Sequence, residues 1–403
     1  GARKVRAMNK EDFVKQYAVE RQNTDSVKWD GMQAKFGEND LLPMWVADME
    51  FKTPEAVREA LHARIDEGTF GYSFTPDAYY DAYFTWQKER YGIELHKEWV
   101  RFNPNVVQSL SNLVQLLTKP GDAVMVLQPV YFPFMDVIEK NDRKLVVSNL
   151  IDNHGHYELD LDDMRQKMID NQVRLMIFCN PHNPVGRVWS AQELEDVLEL
   201  CRQEQVLVIS DEIHHDLMID GSQFTSMLNI KDGFYRDNLV VVDSPSKTFN
   251  LASLWNSHVI IPNPQIMMRY DAYQERMKNP GGCLLGQVAG EAAYRHGTEW
   301  LEGLLETIAD NYHYVRDELK KELPEAVISP LEGTYLAWID LSQLVAAEDL
   351  QTVIQDKAKL AVDFGDWFGE EGKGHIRFNL ATTPANVRQA TKQLIQAVRA
   401  YQE

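Results

Sequence analysis

Six short apolar runs recur through the middle of the chain: AVMVL (123–127), KLVVSNLI (144–151), RLMIFC (174–179), VLVIS (206–210), LVVVD (239–243) and HVII (258–261). They are apolar almost continuously rather than alternately, which is the pattern of strands buried on both faces. Between several of them the apolar spacing becomes helical, as in 190–204, where Ser190 and Glu193 form a capping box ahead of the apolar stripe. Strand alternating with helix predicts an α/β chain with a mostly parallel sheet covered by helices on both faces. Ligands of such sheets bind beyond the carboxyl ends of the strands.

The last third changes character, with a long helical pattern over 285–323, strands at 334–341 and 375–380, and a terminal helix from Ala385. This reads as a smaller α/β domain over 289–403, after a large domain over 51–288. The first 50 residues have weak periodicity and are expected to form an arm on the small domain or on another subunit. Met8, followed by a polar helix start, reads as a natural initiator, so residues 1–7 are taken as a leader. No repeat and no Gly/Ser-rich or Pro-rich linker marks a sharper boundary.

Composition narrows the function classes. The 403 residues are 44% hydrophobic and 25% charged, ordinary values for a globular chain, and their net charge of −20 repels phosphate backbones and anionic membranes. Nucleic acid and membrane are therefore not expected partners. The three cysteines, Cys179, Cys201 and Cys283, are widely separated, as reduced thiols of a cytoplasmic protein would be. No apolar run reaches the ~20 residues of a membrane-spanning helix.

Three polar segments each follow a strand: CNPHNPVGR (179–187), SDEIHHD (210–216) and DSPSKTFN (243–250). They deliver Asn183, Asp211 with His214, and Ser244, Ser246 with Lys247 to one sheet edge. A fourth, NPNVVQSLSN (103–112), is placed where a loop turns into a helix and free backbone N–H groups hold an anion. Taken singly, a Ser-Lys pair is usually a solvated cap, an Asp-Glu pair an N-cap, an Asn between prolines a turn residue, and Arg377 a surface cation on an edge strand. Taken together they match the four functional ends of pyridoxal phosphate. Lys247 would bind its aldehyde and Asp211 would keep the ring nitrogen protonated. Asn183 would donate to the phenolic oxygen, and Ser244, Ser246 and the amides near Val106 and Val107 would hold the phosphate. A desolvated lysine beside a cationic ring has a depressed pKa and can act as nucleophile and base. Tyr131 is placed to stack on the ring, and Arg377 to clamp a substrate carboxylate.

The motifs N-P-H-N-P-V-G-R, S-D-E-I-H, S-K-T-F-N, E-G-T-Y-L-A-W-I-D (332–340) and R-F-N-L (377–380) resemble the fold type I pyridoxal phosphate enzymes. Within them the chain is most similar to the cystalysin and cystathionine β-lyase type. His214, where many aminotransferases carry tyrosine, V-A-D-M-E-F (46–51) and G-Y-S (71–73) point to that lyase subgroup. The resemblance implies a homodimer in which Tyr72 reaches the neighbouring subunit's phosphate. It also implies a substrate site that includes Arg377, Ala47, Asp48 and Asn183, with His214 beside the cofactor. The expected reaction is β-elimination from L-cystathionine, L-cysteine or a related S-substituted cysteine, giving a thiol, pyruvate and ammonia, with Lys247, Tyr131 and Asp211 as its catalytic residues.

The chain also departs from the family pattern. Asn105 replaces a common glycine of the phosphate loop, and asparagine takes left-handed geometry less readily than glycine. Phe132 replaces the second of two adjacent tyrosines, and Ser253 and Trp255 replace small residues.

An aminotransferase would use the same residues, and a regulatory protein that works through protein contacts would need no turnover. The S-x-x-K of serine β-lactamases is present at Ser244 and Lys247, but there it follows a strand instead of opening a helix, and its companion S-D-N and K-T-G motifs are absent. His214, His215 and Asp216 lack the spacing of a metal site, and none is expected.

Overall fold

The computed structural model describes residues 8–403, so the proposed leader lies outside the described residues. Seven strands build the main sheet: β1 (Val100–Asn103), β2 (Ala123–Gln128), β3 (Lys144–Asn149), β4 (Leu175–Cys179), β5 (Leu207–Asp211), β6 (Leu239–Asp243) and β7 (Ser257–Ile260). Their order is β1-β7-β6-β5-β4-β2-β3, and only β7 runs against its neighbours. Every predicted run is a strand, but KLVVSNLI is cut short: β3 ends at Asn149 and Ile151 begins a small hairpin that leaves the sheet. Alternate residues serve opposite faces. Val124, Val126, Ile177, Ile209 and Val242 pack under one helical layer, while Met125, Leu127, Met176, Phe178 and Val208 join the larger core on the other side.

Helix α1 (Val106–Leu117) follows β1, and α2 (Ala191–Gln203) carries the predicted capping box, with Ser190 accepting from the Glu193 amide at 3.1 Å and Glu193 accepting from Ser190 N at 2.9 Å. The helical pattern over 285–323 is two helices, α3 (Leu284–His296) and α4 (Thr298–Glu322), joined at Gly297. A Cβ at 297 would lie 2.4 Å from the Phe249 ring, so the chain turns where a neighbour comes too close for a side chain. The amphipathic spacing continues through the break, which is why the sequence reads as one element.

The second sheet is antiparallel, in the order β8 (Val327–Ile328), β9 (Leu336–Asp340), β11 (His375–Asn379), β10 (Asp363–Phe364). Arg377 therefore stands in an interior strand and is only 2% exposed, not a surface cation on an edge. Helix α5 (Pro384–Gln402) closes the chain against α4. The N-terminal arm packs on this last third: Phe13 meets Trp300 at 5.4 Å between ring centroids, Lys10 pairs with Asp310 at 2.8 Å, and Leu42 pairs with Leu360 in a parallel ladder. Among the described residues no helix is long and apolar enough to cross a membrane.

Candidate functional site

The carboxyl ends of β4, β5 and β6 point one way, and each passes directly into one of the polar segments. Because β7 runs in reverse, its start, with Trp255 and Asn256, lies at that same edge. The edge opens into a cavity of about 230 Å³ bordered by Asn183, Asp211, His214, Lys247, Tyr131 and the start of α1.

The anion end is built first. Asn105 adopts φ −151° and ψ 161°, extended backbone that any residue takes, and is the N-cap of α1, accepting from Gln108 N at 2.8 Å. The departure at Asn105 therefore carries no strain, and a polar cap serves there as well as glycine. Val106 and Val107, in the first turn, keep backbone N–H groups that no helical carbonyl can reach, and both line the cavity. Opposite them Ser244 Oγ donates to Asn256 O at 2.7 Å and accepts from Ser246 N at 3.0 Å, which fixes the turn that presents Lys247. Ser246 to Phe249 form one helical turn, so the S-x-x-K segment does enter a helix; the β-lactamase reading fails on its missing companion motifs alone.

Lys247 Nζ donates to Ala47 O at 2.8 Å. Burial depresses its pKa to about 8, against the pull of Asp48 in the other direction. The same carbonyl accepts the Tyr335 hydroxyl at 2.7 Å. Asp211 ends β5 with its carboxylate accepting from Ile213 N at 3.1 Å, and burial raises its pKa to about 7. His214 is buried and held neutral by that burial and by the nearby Lys247 and Arg377 charges, with its Nδ1 unpartnered. Tyr131 N donates to Asn183 O at 3.1 Å, and burial pushes its phenol up to about 12.

Arg377 donates to Asn183 Oδ1 at 3.0 Å and Trp45 O at 3.3 Å, and its guanidinium is paired with Asp363; its Nε has no partner. Asn379, two residues on and on the same strand face, holds the carbonyls of Val46 at 2.7 Å and Asp48 at 2.8 Å. These bonds set the 46–48 segment over the cavity.

The structure thus gathers Lys247, Asp211, Asn183, His214, Tyr131, Val106, Val107, Ser244, Ser246 and Ala47 around one space, with Arg377 behind Asn183. Asp48 departs from the expectation of an open substrate contact, because its carboxylate is clasped by Arg21 at 2.6 and 3.0 Å. Tyr72 is fully exposed, far from the role of a core residue in its own chain. Phe132 packs on Phe368 at 5.7 Å, and Trp255 and Ser253 line the cavity. His215 and Asp216 are consumed by Gln87, Glu212 O, Trp86 and Thr248 and face away from His214's cavity. Sequence reasoning passed over Tyr335, whose motif it had quoted, and Asp363, which no local pattern links to Arg377.

The donor set can be tested against a cofactor. A buried carboxyl that ionises only near neutrality has no ion pair among the described residues, a primary amine of low pKa stands near it, and unpaired amides line the far wall. These features fit the ring nitrogen, aldehyde and phosphate of pyridoxal phosphate. Solved relatives agree with that fit. Cystalysin from Treponema denticola, described as containing a pyridoxal 5'-phosphate cofactor, superposes with a TM-score of 0.91 at 33% identity, over 95% of this chain and 98% of its own. The PLP-bound C-S lyase from Staphylococcus hominis gives 0.89 at 33%, over 94% and 96%. Cystathionine beta-lyase PatB of Bacillus subtilis (strain 168) is 39% identical over 376 residues, 93% of this chain and 97% of that protein. Residues 33–394 match the family described as aminotransferase class I and II, and the chain belongs to that family.

Proposed function

We propose that the protein is a pyridoxal phosphate-dependent carbon-sulfur β-lyase acting on L-cystathionine, L-cysteine or a related S-substituted cysteine, with a thiol, pyruvate and ammonia as products. The observation that carries this is the convergence of the Lys247 amine, the Asp211 carboxyl, Asn183 and the free amides of α1 on one cavity, in a chain 39% identical to a cystathionine beta-lyase. Bound pyridoxal phosphate supplies an aldehyde for the substrate amine and a protonated ring that accepts the electron pair left at Cα.

The chain's own residues do the rest. Lys247 would hold the aldehyde, and its depressed pKa leaves a fraction neutral near pH 7, able to take the Cα proton. Asp211 would keep the ring nitrogen protonated, Asn183 would donate to the phenolic oxygen, and Tyr131 and His214 would border the ring. The Val106 and Val107 amides and Ser246 would hold the phosphate, with Ser244, whose hydroxyl proton goes to Asn256 O, bracing the Ser246 turn. Arg377 would donate to the substrate carboxylate beside Asn183, which sets which Cα bond breaks, while Ala47 lines the cavity and its carbonyl positions Lys247, with Asp48 beside it held by Arg21. The aminotransferase alternative rests on the family's own description and on a site with the same residues.

Phe70, Tyr72 and Phe74 are 59%, 111% and 86% exposed on one segment, which supports a homodimer in which Tyr72 completes the partner's phosphate site. Cys179 and Cys201 are buried free thiols, in keeping with a cytoplasmic location. We read the chain as a large domain over 51–288 and a small one over 289–403, with α3 carrying it from one to the other. Purified full-length protein loaded with pyridoxal phosphate should release thiol, pyruvate and ammonia from L-cystathionine in equal amounts. Lys247→Ala should release none and should lose the visible absorbance of the lysine-bound cofactor. Unchanged absorbance in that variant would overturn the assignment.

A further inference from the structure

The hairpin that follows β3 pairs Ile151–Asn153 with His156–Glu158 and rests against the second sheet through Tyr157, whose hydroxyl accepts from Trp338 Nε1 at 3.0 Å. At this junction Asp152, Asp340 and His375 each bring one ligand atom to within 4.8 Å of the others. Asp340 and His375 are directly opposite in the β9-β11 ladder, and Asp152 is opposite Tyr157 in the hairpin.

Each of the three is already oriented. His375 is 6% exposed, with its ring stacked on Trp338 at 4.7 Å between centroids. Its Nδ1 lies 3.1 Å from the carbonyls of Gly372 and Lys373. A carbonyl only accepts, so Nδ1 carries the proton and Nε2 turns its lone pair toward the carboxylates, 3.7 Å from Asp340 Oδ2 and 3.4 Å from the Tyr157 hydroxyl. Asp340 Oδ1 accepts from Ser342 N at 2.9 Å, and Asp152 Oδ1 from Gly155 N at 2.8 Å, which turns Oδ2 of each toward the cluster, where the Tyr157 hydroxyl lies 3.5 Å from Asp152 Oδ2. Among the described residues no lysine or arginine pairs with either carboxylate.

We propose that Asp152, Asp340 and His375 form a binding site for a divalent first-row transition cation that fastens the hairpin to the second sheet. One imidazole with two carboxylates suits Zn²⁺ or Mn²⁺ better than the all-oxygen shells of Ca²⁺ and Mg²⁺. A backbone carbonyl on the far nitrogen of a histidine is the usual support of a metal ligand. Tetrahedral Zn²⁺ with ligands at ~2.1 Å needs ligand atoms about 3.4 Å apart, a closure that rotation of the exposed Asp152 side chain can supply. Solvent reaches the cluster past Asp152, and water fills the remaining position. None of the three residues lines the cofactor cavity, although His375 shares β11 with Arg377.

The test is calorimetric titration of chelator-treated, pyridoxal phosphate-loaded protein with ZnCl₂, together with the thermal midpoint with and without the metal. Asp152→Asn and Asp340→Asn each keep the oxygen that caps the local turn, so both should fold, with midpoints in chelator equal to that of the parent. The parent should bind one equivalent of Zn²⁺ and melt higher with it. Each asparagine variant should bind it more than about tenfold more weakly and lose the rise in midpoint. A parent with no single-equivalent site, or variants that bind Zn²⁺ as the parent does, would overturn the proposal. Asp152, being exposed, keeps the test informative even if the Asp340 variant folds poorly.

Discussion

Replacing Asp211 with asparagine separates what the carboxyl costs the empty protein from what it contributes once a cation faces it. Asp211 is 4% exposed, and burial raises its pKa from 3.8 to about 7. Three pH units at ~1.36 kcal/mol each correspond to roughly 4 kcal/mol against the ionised form. Without cofactor, the folded chain keeps this proton at pH values where the unfolded chain has lost it. The associated stability is therefore fully present below pH 3.8 and is lost as pH rises through 7. Asparagine has no charge to bury, so cofactor-free Asp211→Asn should melt several degrees above the parent at pH 8, with the gap closing toward pH 4. With pyridoxal phosphate bound the order should reverse, because a ring cation stabilises the carboxylate and gains nothing from the amide. Scanning calorimetry from pH 4 to 8.5, with and without cofactor, reads both effects. A cofactor-free variant that melts at or below the parent at pH 8, or a cofactor that raises both proteins equally, would mean that burial of the Asp211 charge does not govern the stability of this site.

Lys247, with its pKa lowered to about 8 by burial, is neutral above that value, so covalent capture of added pyridoxal phosphate should speed up as pH rises toward 8 and level off beyond it. Stopped-flow absorbance measures this, and a rate unchanged from pH 6.5 to 8 would contradict it. Arg377→Lys removes a planar fork and leaves a point charge; the loss of about 1.5–3 kcal/mol should raise KM for L-cystathionine roughly 10- to 150-fold while leaving the bound-cofactor absorbance intact. Gly297→Ala puts a methyl group 2.4 Å from the Phe249 ring and should cost about 1–3 kcal/mol of stability in urea unfolding, with little change in KM.

The sheet was legible because nearly continuous apolar runs of four to eight residues leave few alternatives to buried strands, and because polar segments followed three of them directly. Lys247, Asp211 and Asn183 could be placed together for that reason: consecutive parallel strands deliver their carboxyl ends to one edge. The break at Gly297 leaves the amphipathic pattern intact and was missed although a glycine after Arg295 and His296 is a helix stop; no local pattern reveals the Phe249 ring, 48 positions earlier in the chain, that crowds this position. The partnership of Arg377 with Asp363 and the burial of both arise from β11 lying between β9 and β10, a register that spacing alone does not reveal. Asp48 was read as a substrate contact because its own motif is local, whereas the Arg21 that clasps it comes from the arm, where periodicity was weakest. Asn105 was read through a glycine pattern, when its extended backbone needed only a cap.

Lyase and aminotransferase share every residue of the site and differ in the fate of the electron pair left at Cα. The most direct measurement is the count of pyruvate molecules formed per active site from saturating L-cystathionine with no keto acid present. Pyruvate should accumulate steadily over many turnovers, with the cofactor absorbance returning to its starting form once substrate is exhausted. One turnover that stalls with the cofactor in its amine form, and resumes only on addition of a keto acid, would contradict it.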